Sequence, residues 1–255
     1  MSETIGIFDS GLGGLTVYME LKKRFPSTSF VYLADSKRSP YGTKSEDSIQ
    51  SIAYSCCDFL NSLGCMKIVV ACHTASVVAY DFLSKKFPHR IFPMHLTTLD
   101  HLCHLPENCR LLIIGTDSTV RNGYYQNNLK SVRPDIVTQA VGCPLLVDYI
   151  QNQLNDDDLM HEILDRYTAD FFDYDFVLLA CTHFPIEKRA IASFFTPKTV
   201  ILDPAGWIPS LIRTKIDDEL PNDRFYATSK TAAFDHFASD LLRHKVRSKL
   251  VAFPD

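Results

Sequence analysis

Short apolar, β-branched runs alternate with longer segments of helical period along the whole chain, and this limits the available folds more than any other feature. The runs fall at 5–8, 30–34, 68–71, 91–95, 111–115, 136–140, 176–180, 200–202 and 225–227. Helical patterns lie between them, at 15–25, 48–63, 76–87, 119–129, 145–154, 158–171, 186–194, 208–219 and 231–242. In 48–63, for example, Ile49, Ile52, Ala53, Cys56, Phe59, Leu60 and Leu63 share one face. Strands that are apolar throughout, rather than alternating, belong to parallel sheets covered on both faces. The fold class is therefore α/β, with ligands expected beyond the carboxyl ends of the strands.

Composition narrows the function classes. The 255 residues are 46% hydrophobic and 22% charged, an ordinary globular balance rather than that of a disordered chain. A net charge of −4 supplies no global positive field for nucleic acid or anionic lipid. The basic stretch at 243–249 reads as the solvated last turn of a helix. No apolar run approaches the length of a membrane span, and the first residues lack the pattern of a signal peptide. The expectation is a soluble, cytoplasmic protein with no membrane or nucleic-acid partner.

The cysteines carry more information. Eight thiols in a reducing cytosol do not form a disulfide framework, and no C-x-x-C pair occurs. The nearest approach to a metal cluster, His101, Cys103, His104 and Cys109, has the spacing of no common ligand set, so no metal is expected. Two thiols stand apart. The run KIVVACHTA at 67–75 echoes DFVLLACTH at 175–183, and IGIFDS at 5–10 echoes LIIGTDST at 112–119. Both members of the first pair end an apolar strand in Ala-Cys, followed by Thr and His in either order. Such an internal repeat implies two similar α/β lobes whose Ala-Cys strand ends meet in one cleft.

A thiol at a strand end, facing helix amides and close to an imidazole, is expected to have a lowered pKa. One such thiol suggests a nucleophile. Two placed symmetrically suggest that one removes a proton from a carbon while the other delivers a proton to the opposite face, as racemisation requires. Cys56, Cys57, Cys65, Cys103 and Cys109 lack these neighbours and read as packing residues. Asp9-Ser10-Gly11-Leu12-Gly13-Gly14 follows a strand and precedes a helix, but it is neither G-x-G-x-x-G nor a P-loop. Asp35-Ser36 and Ser39-Pro40-Tyr41-Gly42 form a second strand-end loop, with Ser45, Glu46 and Asp47 favouring the helix start that follows.

These segments, from IGIFDSGLGGLTV at 5–17 through YLADSKRSPYGTKS at 32–45, VVACHTAS at 69–76, IIGTDSTV at 113–120, VGCPLLV at 141–147 and LLACTHFP at 178–185 to ILDPA at 201–205, resemble the glutamate racemases of the cofactor-independent aspartate/glutamate racemase superfamily. The resemblance implies two pseudosymmetric lobes, each a mainly parallel sheet flanked by helices, with the active site in the cleft between them. It places the first lobe at 1–97 plus 207–255 and the second at 98–206. It implies an isomerase that interconverts the enantiomers of glutamate without cofactor, for peptidoglycan and so for cell wall and cell shape. Self-association as a homodimer is common in the family.

Carried onto this chain, the resemblance makes Cys72 and Cys181 the acid/base thiols, assisted by Asp9 and His183 respectively. Asp9, Ser10, Tyr41, Gly42, His73, Thr74, Thr119, Thr182 and His183 would hold the amino-acid substrate. Two departures bear on chemistry. The usual Cys-Asn-Thr is here Cys72-His73-Thr74, which puts a bulkier, chargeable imidazole where an amide would hold substrate. The usual Glu after Cys-Pro corresponds to Gln151, which hydrogen-bonds but does not titrate. Ala34, Ala180 and Phe184 also depart from the pattern, at positions consistent with packing variation. A racemase for aspartate or another amino acid, and an amino-acid-binding protein with weakened turnover, are the alternatives.

Overall fold

The computed structural model describes residues 4–214, 220–229 and 231–253. Four strands come first: β1 (Thr4–Asp9), β2 (Ser29–Ala34), β3 (Lys67–Val70) and β4 (Ile91–Pro93). The next four are β5 (Arg110–Gly115), β6 (Val137–Gly142), β7 (Phe176–Ala180) and β8 (Val200–Leu202). Two more, β9 (Arg224–Ala227) and β10 (Ser248–Leu250), lie near the end. They form a six-stranded sheet, β10-β9-β2-β1-β3-β4, and a four-stranded sheet, β6-β5-β7-β8, with parallel pairing throughout. The order β2-β1-β3-β4 is repeated by β6-β5-β7-β8, so the internal repeat read from the sequence is real in topology. Cys72 and Cys181 follow corresponding strands, β3 and β7.

Helices cover the sheets. The first lobe carries α1 (Leu15–Arg24), α2 (Glu46–Ser62) and α3 (His73–Lys86). After β4 come α4 (Met94–Cys103), α5 (Asp117–Asn122), α6 (Tyr124–Val132), α7 (Pro144–Gln151), α8 (Asp157–Thr168), α9 (Lys188–Phe194) and α10 (Thr231–Leu242). The period of two in the strands divides the first sheet's core between its faces. Ile5, Ile7 and Val69 pack with Leu15 and Leu21 of α1 and Phe234 of α10. Phe8, Ile68 and Val70 pack on the other face with Ile49 and Leu60 of α2 and Leu83 of α3. Each such side chain, fully buried, contributes about 1.5–3 kcal/mol. Cys56, Cys57 and Cys65 belong to the second of these cores. The start of α2 follows its sequence signals: the Ser45 hydroxyl accepts the Ser48 N–H at 3.3 Å, and Glu46 and Asp47 occupy the first turn.

Several segments depart from the sequence pattern for local reasons. The run at 91–95 is strand only to Pro93, because Met94, Thr98 and Leu102 bury one face of the unanticipated helix α4. The pattern at 119–129 splits at Gly123, whose φ of 70° ends α5 and starts α6. The helical reading of 208–219 yields a 3-10 turn over Ile208–Leu211, and 215–219 lies outside the described residues. The basic stretch at 243–249 does not continue α10. Arg243 adopts a left-handed φ of 56°, and the Ser239 hydroxyl and the Asp235 carboxylate accept the N–H groups of Val246 and Ser248. The chain then pairs beside β9 as β10. The residues weighed as a metal cluster have other partners: the His101 ring stacks on Trp207 at 4.4 Å, and His104 bonds the Asp100 carbonyl. Among the described residues no helix is long and apolar enough to cross a membrane.

Gly123 is the position where backbone conformation demands glycine between two helices. Gly123→Ala is expected to destabilise the fold by about 1 kcal/mol or more, because φ 70° is strained for an L side chain and its Cβ would lie 2.9 Å from Asn127 Nδ2. Urea unfolding of the variant beside the parent measures it.

Candidate active site

The carboxyl ends of β1 and β3 in one sheet face those of β5 and β7 in the other. Asp9 ends β1 and is completely buried. The Gly11 N–H donates to its Oδ1 at 2.9 Å, and the Thr182 hydroxyl donates to Oδ2 at 3.1 Å from the opposite lobe. The glycines after Asp9 are there for space, since none of them has a positive φ. A Cβ on Gly13 would lie 2.6 Å from Thr182 Oγ1 and 2.7 Å from the His183 backbone N. One on Gly14 would lie 2.5 Å from Asp9 Cβ. The Tyr32 hydroxyl fixes the turn by donating to the Gly11 carbonyl at 2.8 Å.

Cys72 caps the N-terminus of α3, which begins at His73, three residues earlier than the sequence pattern suggested. Its thiol donates to the Ser10 hydroxyl at 3.5 Å. Cys181 leaves β7 with Sγ 3.8 Å from Nδ1 of His183. Nε2 of His183 lies 2.7 Å from Oε1 of Gln151, at the end of α7. With a carbonyl oxygen accepting at Nε2, the proton sits on that nitrogen and Nδ1 faces the thiol bare.

A narrow pocket of about 20 Å³ lies between the two thiols, room for roughly one water molecule. Its wall includes Ser10, Tyr41, Cys72, His73 and Thr74 from the first sheet's side, and Cys181, Thr182 and His183 from the other. Asp9, Gly42 and Thr119 stand behind this wall. Thr119 reaches it through the hydroxyl triangle of Thr74, Thr116 and Thr119, with oxygens 2.8, 3.0 and 3.2 Å apart. The Tyr41 hydroxyl points away, donating to Asp35 at 2.5 Å, and Gly42 packs against Thr116. Ser39 and Pro40, from the strand-end loop read in the sequence, also line the wall, as do Thr116 and Val147, which the sequence reading did not single out. Thr116 had a signal, since a Thr before Asp117 at a strand–helix junction is a cap, and its oxygen accepts the Thr119 N–H at 3.2 Å.

Burial decides the electrostatics. Contrary to the sequence expectation, both thiols are pushed up. Cys72 rises to about 11 because desolvation and the Asp9 charge outweigh the N–H of Ala75 and the Ser10 donors. Cys181 rises further, by desolvation and then the charges of Cys72 and Asp9, against the His183 and Phe184 amides. Helix amides are present as expected, but burial costs an anion more than they return. Burial lowers His183 to about 4 and His73 to about 3, so the imidazole at position 73 is neutral rather than a carrier of charge. Asp9 rises to about 6, mainly by burial.

Comparison with known proteins gives this geometry its class. The Asp/Glu/hydantoin racemase model matches residues 15–206, and the chain belongs to that family. Within that family it is similar to glutamate racemases. The Aquifex aeolicus enzyme is 30% identical over 249 residues, covering 97% of each chain. Among solved structures, glutamate racemase from Francisella tularensis, in complex with D-glutamate, has a TM-score of 0.88 at 26% identity over 98% of both chains. A glutamate racemase isoform from Bacillus anthracis superposes with a TM-score of 0.92 at 24% identity, covering 99% of this chain and 98% of its own, a likeness of fold.

The buried Asp9 sets a pH dependence of stability. The folded protein keeps its proton up to about pH 6, whereas an unperturbed carboxyl releases it near 3.8. This group's stabilisation is complete below about pH 4 and is lost as pH rises through 6, an effect of about 3 kcal/mol. Asp9→Asn is therefore expected to unfold at higher urea than the parent at pH 7.5, with the advantage shrinking toward pH 4.5.

Proposed function

We propose that the protein interconverts L-glutamate and D-glutamate by cofactor-independent proton transfer at the α-carbon, supplying D-glutamate for peptidoglycan. Membership of a racemase family makes it an isomerase. The observation that carries the reading is the pair of thiols, Cys72 and Cys181, at equivalent strand ends of two like sheets and on opposite walls of one cavity. One thiolate takes the α-proton while the other thiol protonates the opposite face. An amino-acid Cα–H is a far weaker acid than a thiol, so the step needs a desolvated base and donors aimed at the developing carbanion.

Asp9 assists Cys72, and the bare Nδ1 of His183 takes the proton of Cys181. Ser10, His73, Thr74, Thr119 and Thr182 hold the carboxylates and amino group, Tyr41 and Gly42 contributing through their loop, since the Tyr41 hydroxyl is committed to Asp35. The division into 1–97 with 207–255 and 98–206 is supported by sheet membership, with β9 and β10 joining the first four strands. A homodimeric assembly and a cytoplasmic location are carried over from the family on the same reading.

Proton NMR in heavy water tests the reaction. Both enantiomers of glutamate are expected to lose the Cα–H signal. Aspartate in parallel checks substrate choice, and silence with glutamate would overturn the proposal. Cys72→Ala and Cys181→Ala are each expected to lower turnover by about 10²–10⁴-fold; near-normal turnover in either would rule out the two-thiol mechanism. Gln151→Glu places a carboxylate 2.7 Å from Nε2 of His183. It is expected to raise the His183 pKa from about 4 by a unit or more and to move the acid limb of the pH–rate profile upward. An unchanged profile would separate His183 from the proton transfer.

A further inference from the structure

The imidazole of His73, beside Cys72, has two edges with different surroundings. Nδ1 lies 3.0 Å from the Tyr125 hydroxyl, which comes from α6 on the other side of the cleft. Nε2 has no hydrogen-bond partner, and among the described residues no fully buried side-chain nitrogen or oxygen lacks one. His73 lines the cavity between the thiols and a second pocket with no room for a water molecule, so Nε2 opens on the first.

The proton between the two rings has a preferred place. A neutral phenol is a better donor than a neutral imidazole N–H, and an imidazole nitrogen is a better acceptor than a phenol oxygen. Tyr125 is completely buried, so water does not compete for its hydroxyl; its other partner is the hydroxyl of Thr98, a weaker acceptor than an imidazole nitrogen. Burial, with a smaller contribution from His95, holds His73 near pKa 3. The ring stays neutral in the working range, and its tautomer rather than its charge sets what the cleft meets.

We propose that Tyr125 is a positioning residue: its hydroxyl donates to Nδ1 of His73, holds the proton on Nε2, and so presents one fixed N–H donor to a substrate carboxylate. This rests on the reading of His73 as a substrate-binding residue. An Asn at this position, as in the family this chain resembles, would offer an N–H from its amide. Here the same donor is supplied in two parts, an imidazole that carries it and a tyrosine from the facing lobe that orients it. The substrate grip on the Cys72 side then depends on a residue across the cleft, so binding and lobe closure are linked through one hydrogen bond.

A double-mutant cycle with glutamate tests this, using the parent, Tyr125→Phe, His73→Asn and the double variant. Tyr125→Phe is expected to raise KM by about tenfold with kcat changed much less, since a donor to a charged group is lost from binding. In the His73→Asn background the same change is expected to leave KM within about twofold, because no tautomer remains to be fixed. An equal loss of kcat in both backgrounds would mark Tyr125 as structural and overturn the proposal. An independent readout is nitrogen-15 NMR of the histidine-labelled parent. Protonated Nε2 with bare Nδ1 at His73 is expected, and the reverse assignment overturns the proposal whether or not Tyr125→Phe folds. If the parent fails to turn over glutamate, the functional reading falls and the nitrogen shifts alone decide this one.

Discussion

The buried carboxylate of Asp9 is the constraint around which the site is arranged. It sits at the end of β1, held by one amide from its own turn and one hydroxyl from the other lobe. That second bond brings Thr182, and with it Cys181 and His183, against the first sheet. It requires Gly13, because any side chain there would collide with Thr182 and the His183 backbone. It also requires Gly14, whose Cβ would meet Asp9 itself. The glycine-rich turn, which carries neither phosphate-loop signature in sequence, is thus a close-packing device. Its glycines make room for protein, and leave none for a pyrophosphate.

The polar groups of the cleft satisfy one another across it. Thr182 bonds Asp9, Thr74 bonds Thr116 and Thr119, and His73 meets Tyr125, each pair spanning the two lobes. The space left holds about one water, less than an amino acid fills, so the proposed function requires the lobes to part for substrate. On the proposed assignment, its carboxylates and ammonium would replace contacts that are already hydrogen bonds, a nearly balanced exchange that would leave binding energy to close the cleft. Burial between the lobes penalises a thiolate, and desolvation is the first cause of the raised pKa of Cys72. A bound ammonium group would offset it, making the thiolate accessible only beside substrate.

Much of this was legible in the sequence because it depends on local pattern. Apolar strands gave the parallel sheets, and the Ala-Cys echo at 71–72 and 180–181 placed both thiols at equivalent strand ends. Ser45 and its acidic neighbours marked the start of α2. What was hidden depends on partners distant in the chain. The direction of the thiol pKa shifts follows from burial between two lobes, which no spacing encodes. The commitment of the Tyr41 hydroxyl to Asp35 left a residue facing the cleft through its ring and loop rather than its polar atom. Tyr125 sits in an ordinary amphipathic helix and becomes notable only through a residue in the other lobe. The tail at 243–249 misled because its charge pattern suits a helix end, while the side chains of Asp235 and Ser239 draw it back into the sheet.

The two halves of the site are alike in topology and unlike in chemistry. Cys72 has a carboxyl group for company and Cys181 an imidazole, with Gln151 fixing the imidazole tautomer. For a reaction between enantiomers in an achiral solvent the equilibrium constant is one, so kcat/KM is equal in both directions whatever the thiols' partners. Unequal partners can make the two directions differ only in how that common ratio divides between kcat and KM, and in which protonation states limit each. Gln151 removes a titrating group from the Cys181 side, and the neutral His73 withholds a charge from the Cys72 side. The two departures from the family pattern therefore act at different points, Gln151 on the protonation of His183 and His73 on the donor offered to the cleft.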